Sequence, residues 1–302
     1  MGISLKALGM SSMDECEMKG MGYLPELSDI RDLDVQSEEI AKVLAPTNVL
    51  KAAPSTLPAS ADLRQWCSPI EDQGQLGSCT ANAGVGLFEF FERKAFGNHI
   101  DASRLFLYKA TRDLMQATGD TGGYIRTTLG AMVLFGIPPE KFWPYDISKF
   151  DDEPSAFLYA FAENYKAVQY YRLDPAGITP DALLARIKTN IAAGLPAEFG
   201  FTVYDSIKQA ATTGKIPFPC RADKTVGGHA IDAVGYDDNM KITNTNCGLA
   251  TTGALLIRNS WGTEWGDKGY GWLPYDYVLK GLAIDWWTLV KAEWIETGQF
   301  TL

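Results

Sequence analysis

The chain has 302 residues, of which 46% are hydrophobic and 21% charged, and a formal net charge of −10. That balance belongs to a folded globular protein with chain enough for two modest domains or one large one, and it excludes a disordered polymer. The acidic surplus speaks against a nucleic-acid partner, and no run of about eighteen apolar residues is present to span a bilayer.

The first twenty residues carry one lysine before a short stretch broken by Gly and Ser, which makes a poor secretory signal. Lys6 stands where a myristoylation signal wants Ser or Thr, so the compartment is left open. Residues 1–60 read as an extension: Gly20-Met21-Gly22-Tyr23-Leu24-Pro25, an acidic run from Ser28 to Glu39, then Ala53-Pro54-Ser55-Thr56-Leu57-Pro58 as a linker. Within it a short helix is expected from Ser37 to Leu44, capped by Ser37, with Glu38 and Glu39 in its first turn.

Helical periodicity then runs from Cys79 to near Gly97, from Asp101 or Ser103 through Leu114, and from Thr127 to Phe135 before Gly136. A further helix spans Thr179 to Ala193, with Thr179 as cap, Pro180 in the first turn and Gly194 closing it. After Pro196 the texture changes to short strands: Ala197 to Val203, His229 to Tyr236, Gly253 to Asn259, Gly269 to Pro274 and Thr288 to Trp294. Helices first and strands second predict an α+β protein whose two halves leave a cleft between them.

Five cysteines, Cys16, Cys67, Cys79, Cys220 and Cys247, form no CxxC pair and no Cys/His cluster, so no metal or other cofactor is expected. Of the two histidines, His99 lies in a helix-ending turn and reads as a solvated loop residue. His229 opens an apolar strand behind Gly227-Gly228, where bare backbone allows another chain to come close. A lone histidine there is more often structural. Its candidate partner is Cys79, which follows the polar, Gly-containing stretch Gln73-Gly74-Gln75-Leu76-Gly77-Ser78 and opens a helix. A thiol at a helix N-terminus loses its proton more easily, and with an imidazole it makes a nucleophile and proton donor in one pair.

Three segments carry a family resemblance. Gln73-Gly74-x-x-Gly77-Ser78-Cys79 resembles the nucleophile motif of the papain-like cysteine peptidases, and His229-Ala230-Ile231-x-x-Val234-Gly235-Tyr236 resembles their histidine strand. Ile257-Arg258-Asn259-Ser260-Trp261-Gly262-Thr263-Glu264-Trp265-Gly266 resembles their asparagine motif, and the three occur in the family's order. Asp120-Thr121-Gly122-Gly123-Tyr124 and Trp143-Pro144-Tyr145 are similar to the family's Gly-Gly substrate strand and the segment after it. The pattern looks closest to prokaryotic relatives with a short pro-segment.

The resemblance implies a papain-like two-domain fold, a helical left domain and an antiparallel β-barrel-like right domain, with the halves dividing near residue 165 inside a unit of residues 61–302. It implies a cysteine-type endopeptidase acting on extended polypeptides: Cys79 attacks the carbonyl, His229 carries the proton, Asn259 orients the ring and Gln73 donates to the oxyanion. Gly122 and Gly123 would pair with substrate backbone. Trp261 would shield the Asn259–His229 bond and Trp265 would line the leaving-group side, while ordinary core packing accounts equally for both. Ile125 and Ala230 would line an apolar specificity pocket for the substrate residue second before the cut. Departures are Thr80 where the family has Trp and Leu76 where it often has Cys, so the usual disulfide there is absent. Cys220 and Cys247 do not match the spacing of the family's usual bridge, so no pairing is assigned: either all five cysteines are thiols, or up to two pairs form and one thiol, Cys79, remains. A catalytically silent peptide-binding homologue and a thiol acyltransferase or amidase remain as alternatives. The N-terminal arm either lies in the cleft as a block or packs on the back face as permanent structure.

Overall fold

A computed structural model describes residues 19–47, 49–50, 57–166 and 169–300. The expectations for the first eighteen residues, Cys16 included, and for Ala53 to Thr56 of the linker fall outside the described residues.

The helices form where periodicity and caps place them. Helix α1, Glu38–Leu44, buries Ile40 and Leu44 fully, with Ser37 at its N-cap; the Ser37 hydroxyl accepts from the Asp34 N–H (3.0 Å) rather than from the helix. Helix α2, Cys79–Phe96, ends at Gly97, whose φ of 76° only glycine adopts freely. In α3, Arg104–Leu114, the Ser103 hydroxyl caps the Phe106 N–H (3.2 Å). Helix α4 covers Ile125–Leu134 and so starts two residues earlier than periodicity suggested. A short α5, Ala156–Ala162, has no counterpart among the expected elements. Helix α6, Pro180–Ala192, is capped by Thr179, which accepts from the Ala182 N–H (3.3 Å).

The strands are β1 Ser60–Asp62, β2 Gln169–Arg172, β3 Ala197–Tyr204, β4 Thr225–Asn244, β5 Leu249–Arg258, β6 Tyr270–Pro274 and β7 Ala283–Val290. All pair antiparallel in one open sheet of order β2-β7-β3-β4-β5-β6, with β1 added on β4. This is the α+β architecture expected from the sequence. One strand is corrected: instead of Thr288 to Trp294, β7 runs from Ala283 and stops at Val290, and Ala292–Ile295 forms a turn of helix, α8, after a second short helix, α7, at Asp276–Leu279. The break swings Trp294 off the sheet and onto Phe91 of α2, stacked at 5.1 Å and 8°. Cys220 and Cys247, to which the sequence assigns no pairing, form a disulfide with Cα atoms 6.3 Å apart.

Helix α2 is buried along most of its length and crosses the sheet at β4. Two glycines permit this. A Cβ on Gly86 would stand 2.0 Å from Arg258 Nη1 and 3.0 Å from Asp232 Oδ2, and one on Gly84 would meet Glu198 Oε2 at 3.5 Å. Arg258 cannot give way, because its Nη2 donates to Ser68 Oγ (3.0 Å) and to the Pro69 carbonyl (2.8 Å) in a buried setting. Gly86→Ala should therefore lower unfolding stability by about 1–3 kcal/mol, the usual cost of forcing volume into a filled core. A denaturant midpoint unchanged from wild type would show that the helix has room there.

Candidate active site

The loop before α2 is held from both sides. The Gln73 N–H donates to the Ser260 carbonyl (2.9 Å), the Tyr145 hydroxyl to the Gln73 carbonyl (3.0 Å), and the Gly77 N–H to Asp120 Oδ1 (3.0 Å). Cys79 is thereby fixed as the first residue of α2, fully buried, with its thiol against the N–H groups of Ala230 and Gly22. Ala230 is the neighbour of His229, so the nucleophile motif and the histidine strand meet.

His229 is fully buried on β4, and its Nε2 lies 2.8 Å from Asn259 Oδ1. That same oxygen accepts the Ser260 N–H (2.9 Å), which identifies it as the amide's acceptor end. Nε2 must then carry a proton. In the neutral ring Nδ1 is left with a lone pair, and it has no hydrogen-bond partner. The arrangement presents a free base beside the strand residue that the thiol touches. Trp261 stacks on the imidazole at 4.7 Å and 24°, and Trp265 meets Trp261 edge-on at 5.6 Å.

Gln73 is fully buried and its orientation is set by Ser260, whose hydroxyl donates to Oε1 (2.6 Å). Its Nε2 donates to the Leu76 carbonyl (2.9 Å) and to the Gly20 carbonyl (2.8 Å). Ser260, Tyr145 and Asp120 act as supports, a role that no sequence signal marks. Thr80, in place of the family's Trp, sits 3.1 Å from the Thr128 hydroxyl, and a Cβ on Gly123 would approach its Oγ1 to 3.0 Å. The position packs through small groups.

The Gly20 carbonyl belongs to the N-terminal arm, which runs through the groove. The Gly20 N–H donates to the Gly74 carbonyl, Gly123 N–H to Gly22 O (2.8 Å), Leu24 N–H to Gly123 O (3.1 Å) and Tyr23 N–H to Gly228 O (3.3 Å). Tyr23 and Gly123 form a parallel bridge. The fit is tight: a Cβ would fall 1.7 Å from Gly77 O at Gly22, and 2.1 Å from Gly22 O at Gly122. Lys19 pairs with Asp72 (2.7 Å), and Arg126 holds Glu26 and Asp32. Beyond Asp34, α1 packs as core. The arm thus makes its backbone pairs with Gly74, Gly123 and Gly228 through residues 20–24, while α1 further on buries Ile40 and Leu44. The Gly-Met-Gly run ahead of Tyr23 was the available signal, since only bare residues approach backbone this closely.

Ile125 and Ala230 are fully buried, Ala230 opposite Gly200 in the β3–β4 register. The space over Gly200 lies beside Ala230, where the sequence leads one to expect an apolar pocket. Tyr23 enters it, and at its floor lies Asp285 from β7.

Burial governs the titration of the pair. Desolvation lowers His229 from its ordinary 6.5 to about 4, only partly opposed by the Asn259 hydrogen bond, and raises the Cys79 thiol to about 11. With the arm seated, the neutral thiol and neutral imidazole are favoured over the ion pair.

Comparison with known proteins shows the family. A profile described as papain family cysteine protease matches residues 57–280. An uncharacterized peptidase C1-like protein of Acanthamoeba polyphaga mimivirus is 34% identical over 287 residues, 91% of this chain and 88% of that protein. The thiol protease aleurain of Arabidopsis thaliana is 29% identical over 285 residues, covering 88% and 71%. Among solved structures, xylellain, a cysteine protease from Xylella fastidiosa, superposes with a TM-score of 0.71 at 32% identity, covering 90% of this chain and 97% of that one.

With only two histidines, an imidazole NMR titration reads the site directly. The closed site binds a proton less tightly than an opened one, so arm closure is fully favoured above pH 6.5 and weakens as pH falls toward about 4. The His229 resonances should move near pH 4 in the full chain and at higher pH once the arm is displaced by Gly22→Ala. Identical midpoints in both would mean that the arm does not bury the ring.

Proposed function

This chain belongs to the papain family of cysteine proteases and is a peptidase; from that premise we propose that Cys79, His229, Asn259 and Gln73 perform the cleavage. The observation that carries the reading is the unpartnered Nδ1 of a ring whose Nε2 is committed to Asn259, on the strand residue just before Ala230, whose backbone the helix-opening Cys79 thiol meets. Nδ1 takes the Cys79 proton, the helix dipole favours the resulting thiolate, and the imidazolium later protonates the leaving amine. Asn259 needs no charge for its task, because it only has to accept from Nε2 and hold the ring in plane. Gln73 Nε2, now on the Gly20 carbonyl, would donate to the oxyanion of the tetrahedral intermediate. Trp261 keeps water from the His229–Asn259 bond by covering one ring face, and Trp265 faces the leaving group.

In this reading residues 1–60 are an extension and residues 61–302 the peptidase unit, whose helical half supplies Cys79 and whose β-rich half supplies His229 and Asn259. Substrate lies extended along Gly122-Gly123 by strand addition, the backbone pairing that the arm now makes. The arm acts as an intramolecular block, and its polarity protects it. Its carbonyl on Gln73 belongs to Gly20, whereas Tyr23, in the neighbouring pocket, comes later in the chain. In a substrate the pocket residue comes before the scissile carbonyl. The arm therefore occupies the groove backwards and offers no bond for attack.

An epoxysuccinyl probe should modify Cys79 alone, as mass mapping would show, and Cys79→Ala should abolish both labelling and peptide cleavage. Gln73→Ala should lower kcat by about 100- to 1000-fold, the usual loss of one oxyanion donor. Labelling at another residue, or cleavage surviving in Cys79→Ala, would sink the assignment. Gly22→Ala, whose Cβ has no space against Gly77 O, should unseat the arm and speed labelling of the full chain; an unchanged rate would remove the block from the account.

A further inference from the structure

The pocket that receives Tyr23 has a floor shaped by three local irregularities. Gly200 of β3 has no side chain, and a Cβ there would lie 1.9 Å from the Tyr23 ring, so the bare position makes the space an aromatic ring fills. The pairing of β3 with β7 slips between Glu198 and Gly200, a bulge that re-aims the facing strand. Opposite it, Asp285 holds a left-handed backbone at φ 62°, a conformation costly for a residue that is not glycine. Asp174 sustains that conformation by accepting the N–H groups of Asp285 (2.8 Å) and Trp286 (3.0 Å). Strain held in place by a dedicated carboxylate marks a position where the side chain is needed.

The Asp285 carboxylate is fully buried, and its two oxygens do different things. Oδ1 accepts from Trp287 Nε1 (2.8 Å) and is ion-paired with Arg172 Nη2 (3.2 Å), which fixes the group and compensates its charge. Oδ2 is turned to the Tyr23 hydroxyl, at 3.4 Å. On the body, Asp285 and Asp174 at this floor face Arg172 and Arg126, while burial holds the neighbouring Glu198 carboxyl well above the ordinary carboxylate range and so neutral. A cationic side chain would gain no net field here. A neutral ring with a donor at its far end matches the floor in both shape and charge.

We propose that this pocket recognises tyrosine at the substrate position second before the cut, with Asp285 reading the phenol hydroxyl, and that Tyr23 of the arm occupies it by imitation. The proposal rests on the peptidase reading above and adds its specificity. A phenylalanine would fill the same volume but leave Asp285 Oδ2 buried without a partner, which is the condition under which a hydroxyl is discriminated strongly. Leucine would fill less of the space beneath Gly200. An O-methylated tyrosine would lose the donor and add a methyl group where no room exists.

The test uses the full chain and its Gly22→Ala form, with peptides of identical flanks carrying Tyr, Phe, O-methyl-tyrosine, Leu or Arg at that position, in competing pairs. Every peptide reaches only the same opened fraction of enzyme, so the arm cancels from each ratio of kcat/KM. Tyrosine should exceed phenylalanine by about tenfold or more, as expected for a hydrogen bond to a charged group, with O-methyl-tyrosine below phenylalanine. Asp285→Gly, which keeps the left-handed backbone accessible while removing the carboxylate, should bring the Tyr-to-Phe ratio toward one. Independently, Tyr23→Phe in the full chain should raise the rate of Cys79 labelling about tenfold by weakening the arm's seat. Phenylalanine or leucine cut as well as tyrosine, arginine preferred over both, or an unchanged labelling rate in Tyr23→Phe would each overturn the proposal. In those cases cleavage and labelling at Cys79 still stand, whereas loss of both in every form overturns the peptidase reading itself.

Discussion

The close seating of helix α2 on strands β3 and β4 is the constraint from which the site follows. Gly84 and Gly86 let the helix come down until Arg258, Asp232 and Glu198 of the sheet fill the space where side chains would stand. The helix start is then fixed relative to the histidine strand, and Cys79 can emerge only against Ala230. Arg258 does further work because it is tied to Ser68 and Pro69 in the segment leading to the nucleophile loop. One buried guanidinium thus joins the helix, the sheet and the chain before the loop.

Around that seat the proposed catalytic groups are held by one another and by neighbouring side chains and backbone. Gln73 is held by Ser260, Asn259 Oδ1 by the Ser260 N–H, and the loop by Tyr145 and Asp120. Such supports cost little when the reaction proceeds, since nothing has to reorganise. The arm exploits the same preorganisation in reverse. It satisfies the backbone of Gly123, Gly228 and Gly74 and places a carbonyl on Gln73, while burial of Cys79 and His229 favours their neutral forms. In the proposed reading, inhibition and catalysis draw on the same hydrogen-bonding groups, so the two states would exclude each other by geometry.

Some features were legible locally and others were not. Ser103, Thr179, Gly97 and Gly194 mark helix ends through short-range hydrogen bonds or a single φ angle, and such signals survive in a linear reading. The end of β7 did not, because the turn at Lys291 is decided by the stacking of Trp294 on Phe91, a partner from the other end of the chain. The pocket floor was missed for a similar reason. Ile125 and Ala230 sit beside recognisable motifs, whereas Asp285 reaches the pocket through a bulge and a left-handed backbone that leave no pattern in the sequence.

The sequence by itself determined the chemistry: a cysteine opening a helix, a histidine opening a strand, an asparagine before Ser-Trp and a glutamine ahead of the nucleophile, in the family's order. These are local arrangements, each defined by its neighbours in the chain. Only the tertiary structure decided how the groove is filled. Whether residues 19–26 lie inside it, which way they run, and what their tyrosine meets depend on contacts between segments far apart in sequence, where fit between surfaces, and not the order of residues, sets the outcome.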